Sequence, residues 1–419
     1  MLKIIIPLNN INERKYILDI IFNEFLGLKF ELVEDKECKD WIIELENKKV
    51  LTIKDTFFNN YSQDLEYLKL DNIPSKIEDL DIFAASFFML TRWEEYVSKN
   101  RDEHDRFPAT ESLAFKQNFL DRPVVNENVE KLKKMLLNLD NSLFFKEYNY
   151  KFTLTHDVDV PFKYYSLKST IRTLAGDLLK RGDIKLFFSN LNNFIKSKIN
   201  YKKDPFYTFD FILEMNKKYN ISSYFFFMSG GTTNKDNFYN INDFRIEQLI
   251  KNIKDSNNHV GIHPSYSSYD DMKQLSKEKK ALSVIVNLDI KFGRQHYLNF
   301  AIPDTWQNWE EQNMLFDSTL GYADMPGFRC GVCYEYSVFN ILTRKKLKLK
   351  EKPLIVMECT IFEERYMNLN YEDSYRKIIK YIDIVKQYNG EFVLLWHNDR
   401  LISCEQKILY KRILTNAEK

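Results

Sequence analysis

Glycine and proline are scarce in this chain, 11 and 10 of 419 residues, about 5% together against roughly 12% in average usage. Little is left for glycine-rich phosphate loops, and neither G-x-x-x-x-G-K-[ST] nor G-x-G-x-x-G occurs. Cysteine is sparse and odd in number, five residues in all, unlike a secreted disulfide framework. Cys330-x-x-Cys333 is a lone CxxC that supplies half a zinc site, and it reads as two ordinary thiols near a loop. No window approaches the roughly 18 uninterrupted apolar residues of a spanning helix. The opening run Met1-Leu2-Lys3-Ile4-Ile5-Ile6-Pro7 is too short for a signal-peptide core and reads as a first strand. These absences point to a reduced, cytoplasmic protein. An excess of one charge is also missing: 61 Lys+Arg face 60 Asp+Glu, which removes the broad electrostatic footprint of a dedicated nucleic-acid binder.

What is present is the composition of a globular protein, 44% hydrophobic, 15% aromatic and 29% charged. The length suits two to three domains with a substantial core. Residues 1–148 mix short strands and helices, over Lys3–Leu8, Glu13–Leu26, Phe30–Glu34 and Trp41–Ile53. Helical spacing of apolar residues runs from Ile82 to Val97, with Asp79 or Asp81 as its cap. This half holds one histidine, His104, in a charged stretch that reads as solvated, and its expected work is structural or substrate-positioning. Residues 149–419 change rhythm. Strand-like runs at Phe152–Val158, Ser222–Met228, His259–His263, Lys291–Phe300, Phe316–Thr319, Leu354–Cys359 and Glu391–Trp396 alternate with amphipathic helical stretches. Repeated βα units imply a parallel sheet, open or closed as a barrel.

In such architectures reactive groups gather at the C-terminal ends of strands. Four of the six histidines fall there: His156 in Thr155-His156-Asp157-Val158-Asp159, His263 before Pro264, His296 in Arg294-Gln295-His296, and His397 in Leu395-Trp396-His397. His259 reads as a strand start. In an extended segment Asp157 and Asp159 share a face and His156 takes the other. Two carboxylates so close disfavour joint ionisation unless a cation sits by them. A divalent metal would answer this, with one aspartate as ligand and the other free as a base. Carboxylate and imidazole ligands suit Zn²⁺, Mn²⁺, Fe²⁺ or Co²⁺.

This pattern resembles the polysaccharide deacetylase family, the NodB-homology domain of carbohydrate esterase family 4, over about residues 150–400. The family's T-F-D-D is matched by Thr155-His156-Asp157-Val158-Asp159, with one residue between the aspartates. Its H-[ST]-x-x-H is matched by its first histidine, His263, with Ser267 at the second position. Its R-x-P-x-G is matched by the arginine of Arg294-Gln295-His296-Tyr297-Leu298, and its strand ending L-x-H by Leu395-Trp396-His397. The N-terminal part, in Asp81-Ile82-Phe83-Ala84, Trp93-Glu94-Glu95-Tyr96 and Arg106-Phe107-Pro108-Ala109, is similar to an uncharacterised domain found ahead of such deacetylases.

The resemblance implies a distorted (β/α) barrel behind a smaller α+β domain, and a metal-dependent hydrolase removing an N-acetyl group from a sugar in a polysaccharide, glycolipid or precursor. It implies Asp157 as general base, Asp159 as metal ligand, His397 as general acid and Arg294 as the partner of Asp157. One divalent metal is implied, zinc foremost, with His263 as second ligand. His296 is the candidate for the missing third, against water, Ser267 or no metal. Arg329, Tyr297 and Trp396 are the candidates for contact with substrate. An allantoinase-like amidohydrolase and a degenerate barrel that binds glycans without turnover are the alternatives.

Residues 164–204 read as a basic helical insertion, with nine Lys and Arg interleaved with Leu and Phe. It is expected to be a solvated lid or outer helix, or a peripheral contact with an anionic membrane or a lipid-linked sugar at the inner face of the membrane.

Overall fold

A computed structural model of the chain describes residues 2–236 and 238–418. The chain forms two compact units, each assembled from separate segments. The first comprises Met1–Lys151, Tyr297–Val356 and Tyr381–Phe392, and the second Phe152–His296, Met357–Lys380 and Val393–Lys419.

In the first unit, strands β1 (Leu2–Ile6), β2 (Phe30–Glu34), β3 (Trp41–Glu44) and β4 (Val50–Ile53) form a sheet of order β2-β1-β3-β4. β1 runs parallel to β2, while β1–β3 and β3–β4 are antiparallel. The apolar run from Ile82 is a helix over Ile82–Thr91, buried at every position. Asp81 caps it, its carboxylate accepting from the amides of Phe83 (2.9 Å) and Ala84 (3.0 Å). The helical run expected up to Val97 is broken at Arg92, which adopts a left-handed φ of 53° before a short helix at Trp93–Val97. The break places the Arg92 guanidinium on Glu94 (2.6 Å) and Glu95 (2.8 Å).

The chain passes to the second unit at β5 (Lys151–Val158), followed by β6 (Tyr224–Phe227), β7 (His259–Ile262) and β8 (Phe292–Gly293). The pairs β5–β6, β6–β7 and β7–β8 are all parallel. It returns to the first unit for β9 (Phe316–Asp317), β10 (Tyr336–Asn340) and β11 (Lys345–Glu351), where β10–β11 is antiparallel and β11–β9 parallel. The β10–β11 hairpin is absent from the expected elements: the lysine-rich alternation of β11 keeps one face wet and reads as polar. β12 (Val356–Met357) and β13 (Glu391–Leu395) complete the order β8-β7-β6-β5-β13-β12.

The sheet is open: among the described residues no ring of strands closes, which departs from the barrel implied by the motifs. β8, β9 and β12 are two residues long, too short a ladder to carry closure. Lys291–Phe300, expected as one strand, pairs only at Phe292–Gly293 and then turns through His296–Leu298. Leu354–Cys359 likewise gives two strand residues before a helix at Glu358–Phe362.

Charged side chains are buried in the core of the first unit, Arg92, Glu94, Glu95 and Arg329 among them. Arg329, 2% exposed, donates to Glu95 at 2.9 and 2.5 Å and to the Gly321 carbonyl at 2.8 Å. Arg329 therefore differs from its expected role toward substrate, because its guanidinium is spent inside the fold. Burial would raise the Glu95 pKa, but Arg329 and Arg92 outweigh it and hold the carboxyl at about 2. Cys330 and Cys333 are buried free thiols, and burial pushes Cys330 up to about 12.

Removing one partner of a buried ion pair costs about 3–5 kcal/mol, so Glu95→Gln should lower unfolding stability by that order in urea titration. The depressed Glu95 pKa contributes stability that is complete above its ordinary value of 4.5 and is lost as pH falls toward about 2. Wild type should therefore lose stability over that window while Glu95→Gln, lacking the titration, loses less; equal losses would refute the assignment.

Candidate active site

The site grows from the end of β5 and the turns after β7 and β8, all in the second unit. Two glycines allow these strands to approach. A Cβ on Gly293 would lie 2.0 Å from the Ile262 carbonyl oxygen, and one on Gly261 would lie 2.5 Å from that of Phe292. With neither side chain present, the Arg294 amide donates to the Ile262 carbonyl (3.1 Å) and the His296 amide to that of Pro264 (3.1 Å). His263, Arg294 and His296 are thereby set side by side, with the His263 and His296 ring centroids 4.9 Å apart.

Each histidine is oriented through its Nδ1. That of His263 donates to the Arg294 carbonyl at 2.6 Å, and a carbonyl only accepts, so the proton sits on Nδ1. The Nδ1 of His296 donates to the Asp236 carboxylate at 3.1 Å, and that of His397 to Glu358 at 2.7 Å. Asp236 is itself held by the Thr233 hydroxyl (2.6 Å) and the Tyr266 amide (2.9 Å).

The Nε2 atoms of all three point at Asp159. Its Oδ1 lies 3.2 Å from that of His263 and 3.9 Å from that of His296, and its Oδ2 lies 3.7 Å from that of His397. The Asp159 Oδ1 is buried with no hydrogen-bond partner. Burial would raise the Asp159 pKa, but the His263 contact and the three imidazoles outweigh it and hold the carboxyl far below the usual range. Burial likewise works against a charged His263, and Asp157 and Asp159 reverse it, so its pKa is raised. The pocket stabilises positive charge.

Asp157 occupies the strand beside this cluster. Arg294, fully buried, donates to its Oδ1 at 2.9 Å and to the Thr155 hydroxyl at 2.8 Å. Its Oδ2 is left facing His263 Nε2 at 3.7 Å. His156 takes the opposite face of β5, donating from Nδ1 to the Trp396 carbonyl at 2.7 Å and stacking on Phe225 at 4.6 Å. Burial lowers its pKa to about 4 and keeps it neutral.

Asp159, His263 and His296 thus offer three donor atoms within 4.8 Å of one another. They fit a divalent cation: an orphaned buried carboxylate oxygen and two imidazole Nε2 atoms, each with its Nδ1 proton held from behind. Glu358, Cys359 and His397 are a second such group, with weaker credentials. His397 faces Glu358 through a protonated Nδ1, and burial pushes the Cys359 thiol up to about 12. His397 has its pKa raised well above the ordinary value, because Glu358 and then Cys359 outweigh its burial.

Of the expected site residues, the structure brings together Asp157, Asp159, His263, Arg294, His296 and His397. Ser267, at the motif's second-histidine position, has its hydroxyl 3.5 Å from that of Thr232. Trp396, expected against substrate, is wholly buried, packs on Phe362 and Tyr410 and donates to the Arg400 carbonyl at 3.2 Å. Tyr297 belongs to the other unit; its ring lies 4.7 Å from that of His104, which is half-buried rather than solvated. Asp236 and Glu358 are functional candidates that the motif reading misses. The signal for Asp236 is Gly230-Gly231, the one adjacent glycine pair in a glycine-poor chain, just after β6. For Glu358 it is a carboxylate at the end of β12.

Residues 2–141 match a family model described as a family of unknown function, DUF7033. No curated protein matches. Solved structures similar to this chain include a protein from Mycobacterium smegmatis assigned to the polysaccharide deacetylases. It is 13% identical, with 64% of this chain and 85% of that one covered and a TM-score of 0.43. Puue allantoinase is 10% identical over 64% and 83% of the two chains, with a TM-score of 0.41. A CE4 family pseudoenzyme from Bacillus anthracis is 13% identical over 64% and 60%, with a TM-score of 0.32.

The donor set makes a direct prediction. The purified chain should bind one equivalent of zinc or a similar transition ion by elemental analysis, and Asp159→Ala or His296→Ala should abolish binding. Asp236→Asn should weaken it about 10–100-fold by acting through His296. Undiminished occupancy in Asp159→Ala would remove the cluster as the metal site.

Proposed function

We propose that this chain is a metal-dependent hydrolase that removes the acetyl group from an N-acetylated sugar of a polysaccharide, glycolipid or precursor. The observation that carries the reading is the buried, partnerless Asp159 Oδ1 between the Nε2 atoms of His263 and His296, flanked by two further groups suited to opposite proton transfers. The sugar amide as substrate rests on the motif order Asp157/Asp159, His263, Arg294, His397.

Asp159, His263 and His296 would hold the ion. When bound, it supplies Lewis acidity toward an amide carbonyl and lowers the pKa of water. The remaining chemistry belongs to the chain. Asp157 is the general base: Arg294 occupies its Oδ1 and turns Oδ2 toward the cluster, where it can take a proton from water attacking the amide carbonyl. His397 is the general acid. Glu358 fixes its Nδ1 proton and favours the imidazolium, so that Nε2 presents a proton on the Asp159 side, where the departing sugar amine collects it. As the C–N bond breaks, the acyl carbon leaves as acetate and the nitrogen as a free amine. Asp157 meets the cluster at His263 and His397 meets it at the Asp159 Oδ2, and the two would act as base and acid on one amide.

Acetate release from N-acetylhexosamine oligomers by the metal-loaded chain should be measurable. Asp157→Asn should retain the metal and lose about a hundredfold to ten-thousandfold in turnover, the span of a general base. Hydrolysis of cyclic ureides without acetate release would move the activity to small amides. Metal binding with no turnover of either class would overturn the enzymatic reading.

A further inference from the structure

The insertion after β5 is a helical hairpin, Leu167–Leu179 and Ile184–Ile199, and it is built rather than loose. Its neck is closed by the Asp204 carboxylate, which accepts from the amides of Lys163 (2.8 Å) and Tyr164 (3.0 Å). Inside, Asn190 donates to Asp177 at 2.7 Å and accepts from the Tyr164 hydroxyl at 2.8 Å. Asp177 and Asn190 are both buried. Ser166 and Asp183 cap the two helices.

The hairpin nonetheless leaves two apolar stripes in water. On the first helix Leu167, Ile171, Leu174 and Leu178 recur at the spacing of one helical face, and Leu167 and Ile171 are 64% and 66% exposed. On the second, Ile184, Phe188, Leu191, Ile195 and Ile199 repeat the pattern, with Phe188 61% and Ile199 83% exposed. At 3.6 residues per turn, counted from the facing pair Asp177 and Asn190, the stripes fall on the same side of the antiparallel hairpin. Soluble surfaces rarely leave such a contiguous patch bare. Lys168 and Arg172 border the first stripe, and Lys185 and Lys196 the second; all four are exposed. Over residues 164–204 nine Lys and Arg face three Asp, leaving the remainder of the chain at −5 within a net charge of +1.

We infer that this hairpin is a membrane-surface anchor, laying both stripes into the headgroup region of a bilayer rich in anionic lipid while the bordering cations pair with lipid phosphates. Apolar stripes rimmed by Lys and Arg are the chemistry of an interfacial helix, and the positive excess is complementary to an anionic leaflet. A protein groove would cover the stripes equally, but would give no reason for concentrating cations around them in a chain otherwise net negative. No helix among the described residues is long and apolar enough to cross a membrane, so contact by this element would be with one leaflet. The inference stands apart from the hydrolase reading, since none of these residues belongs to the metal cluster.

Co-sedimentation of the full chain with vesicles tests it. Binding should be strong to phosphatidylglycerol mixed with phosphatidylcholine, weak to phosphatidylcholine alone, and reduced by raised salt, which screens the cations. The triple substitution Ile171→Ser, Phe188→Ser, Ile195→Ser removes exposed groups only. It should keep the wild-type circular dichroism and thermal midpoint while weakening vesicle binding at least about tenfold, given the apolar area withdrawn. Absence of binding by the wild type, or equal binding by the triple variant, would overturn the inference. So would a concentration-dependent dimer that the same substitutions dissolve, because the face would then belong to a second copy.

Discussion

A carboxylate oxygen taken out of water without a donor is among the more expensive things a fold can contain, and this structure contains one at Asp159. Three imidazoles converge on that carboxylate, and each is prevented from turning away by an acceptor at its Nδ1: the Arg294 carbonyl, Asp236 and Glu358. The arrangement makes sense around positive charge. Protons can supply that charge, as the raised pKa of His263 shows, and a divalent ion would supply it while releasing them.

The geometry follows from backbone decisions made a few residues away. Gly261 and Gly293 permit the close passage of β7 and β8, and the chain then turns through His296–Leu298 instead of continuing as a strand. Extended backbone sets Arg294 and His296 on one face and Gln295 on the other. Arg294 thus reaches Asp157 and His296 faces Asp159. Gln295 fastens the neighbouring loop, donating to the Ser265 carbonyl and the Ser268 hydroxyl, both at 2.8 Å. The charged interior of the first unit has a different character. Arg92, Glu94, Glu95 and Arg329 pair with one another inside the fold.

Strand-end placement made the histidine–aspartate groups legible, because a βα rhythm and a polar residue at the end of an apolar run are both local patterns. The partnership of Arg294 with Asp157 was legible from motif order. Asp236 and Glu358 were not, since they act through the far nitrogen of a histidine 60 and 39 residues away, and no local pattern records such a pairing. Arg329 and Trp396 misled for the same reason in reverse: an arginine or tryptophan near a site looks the same in sequence whether it faces a ligand or the interior. The sheet's openness was also hidden, because β8 and β12 lie within longer apolar runs that turn after two residues.

Anomalous diffraction from crystals grown with zinc tests the central claim most directly. The account predicts one strong peak bounded by Asp159, His263 and His296, with Asp157 and His397 outside the ligand set. A peak at Glu358, Cys359 and His397 instead, or none in a zinc-saturated crystal, would contradict it.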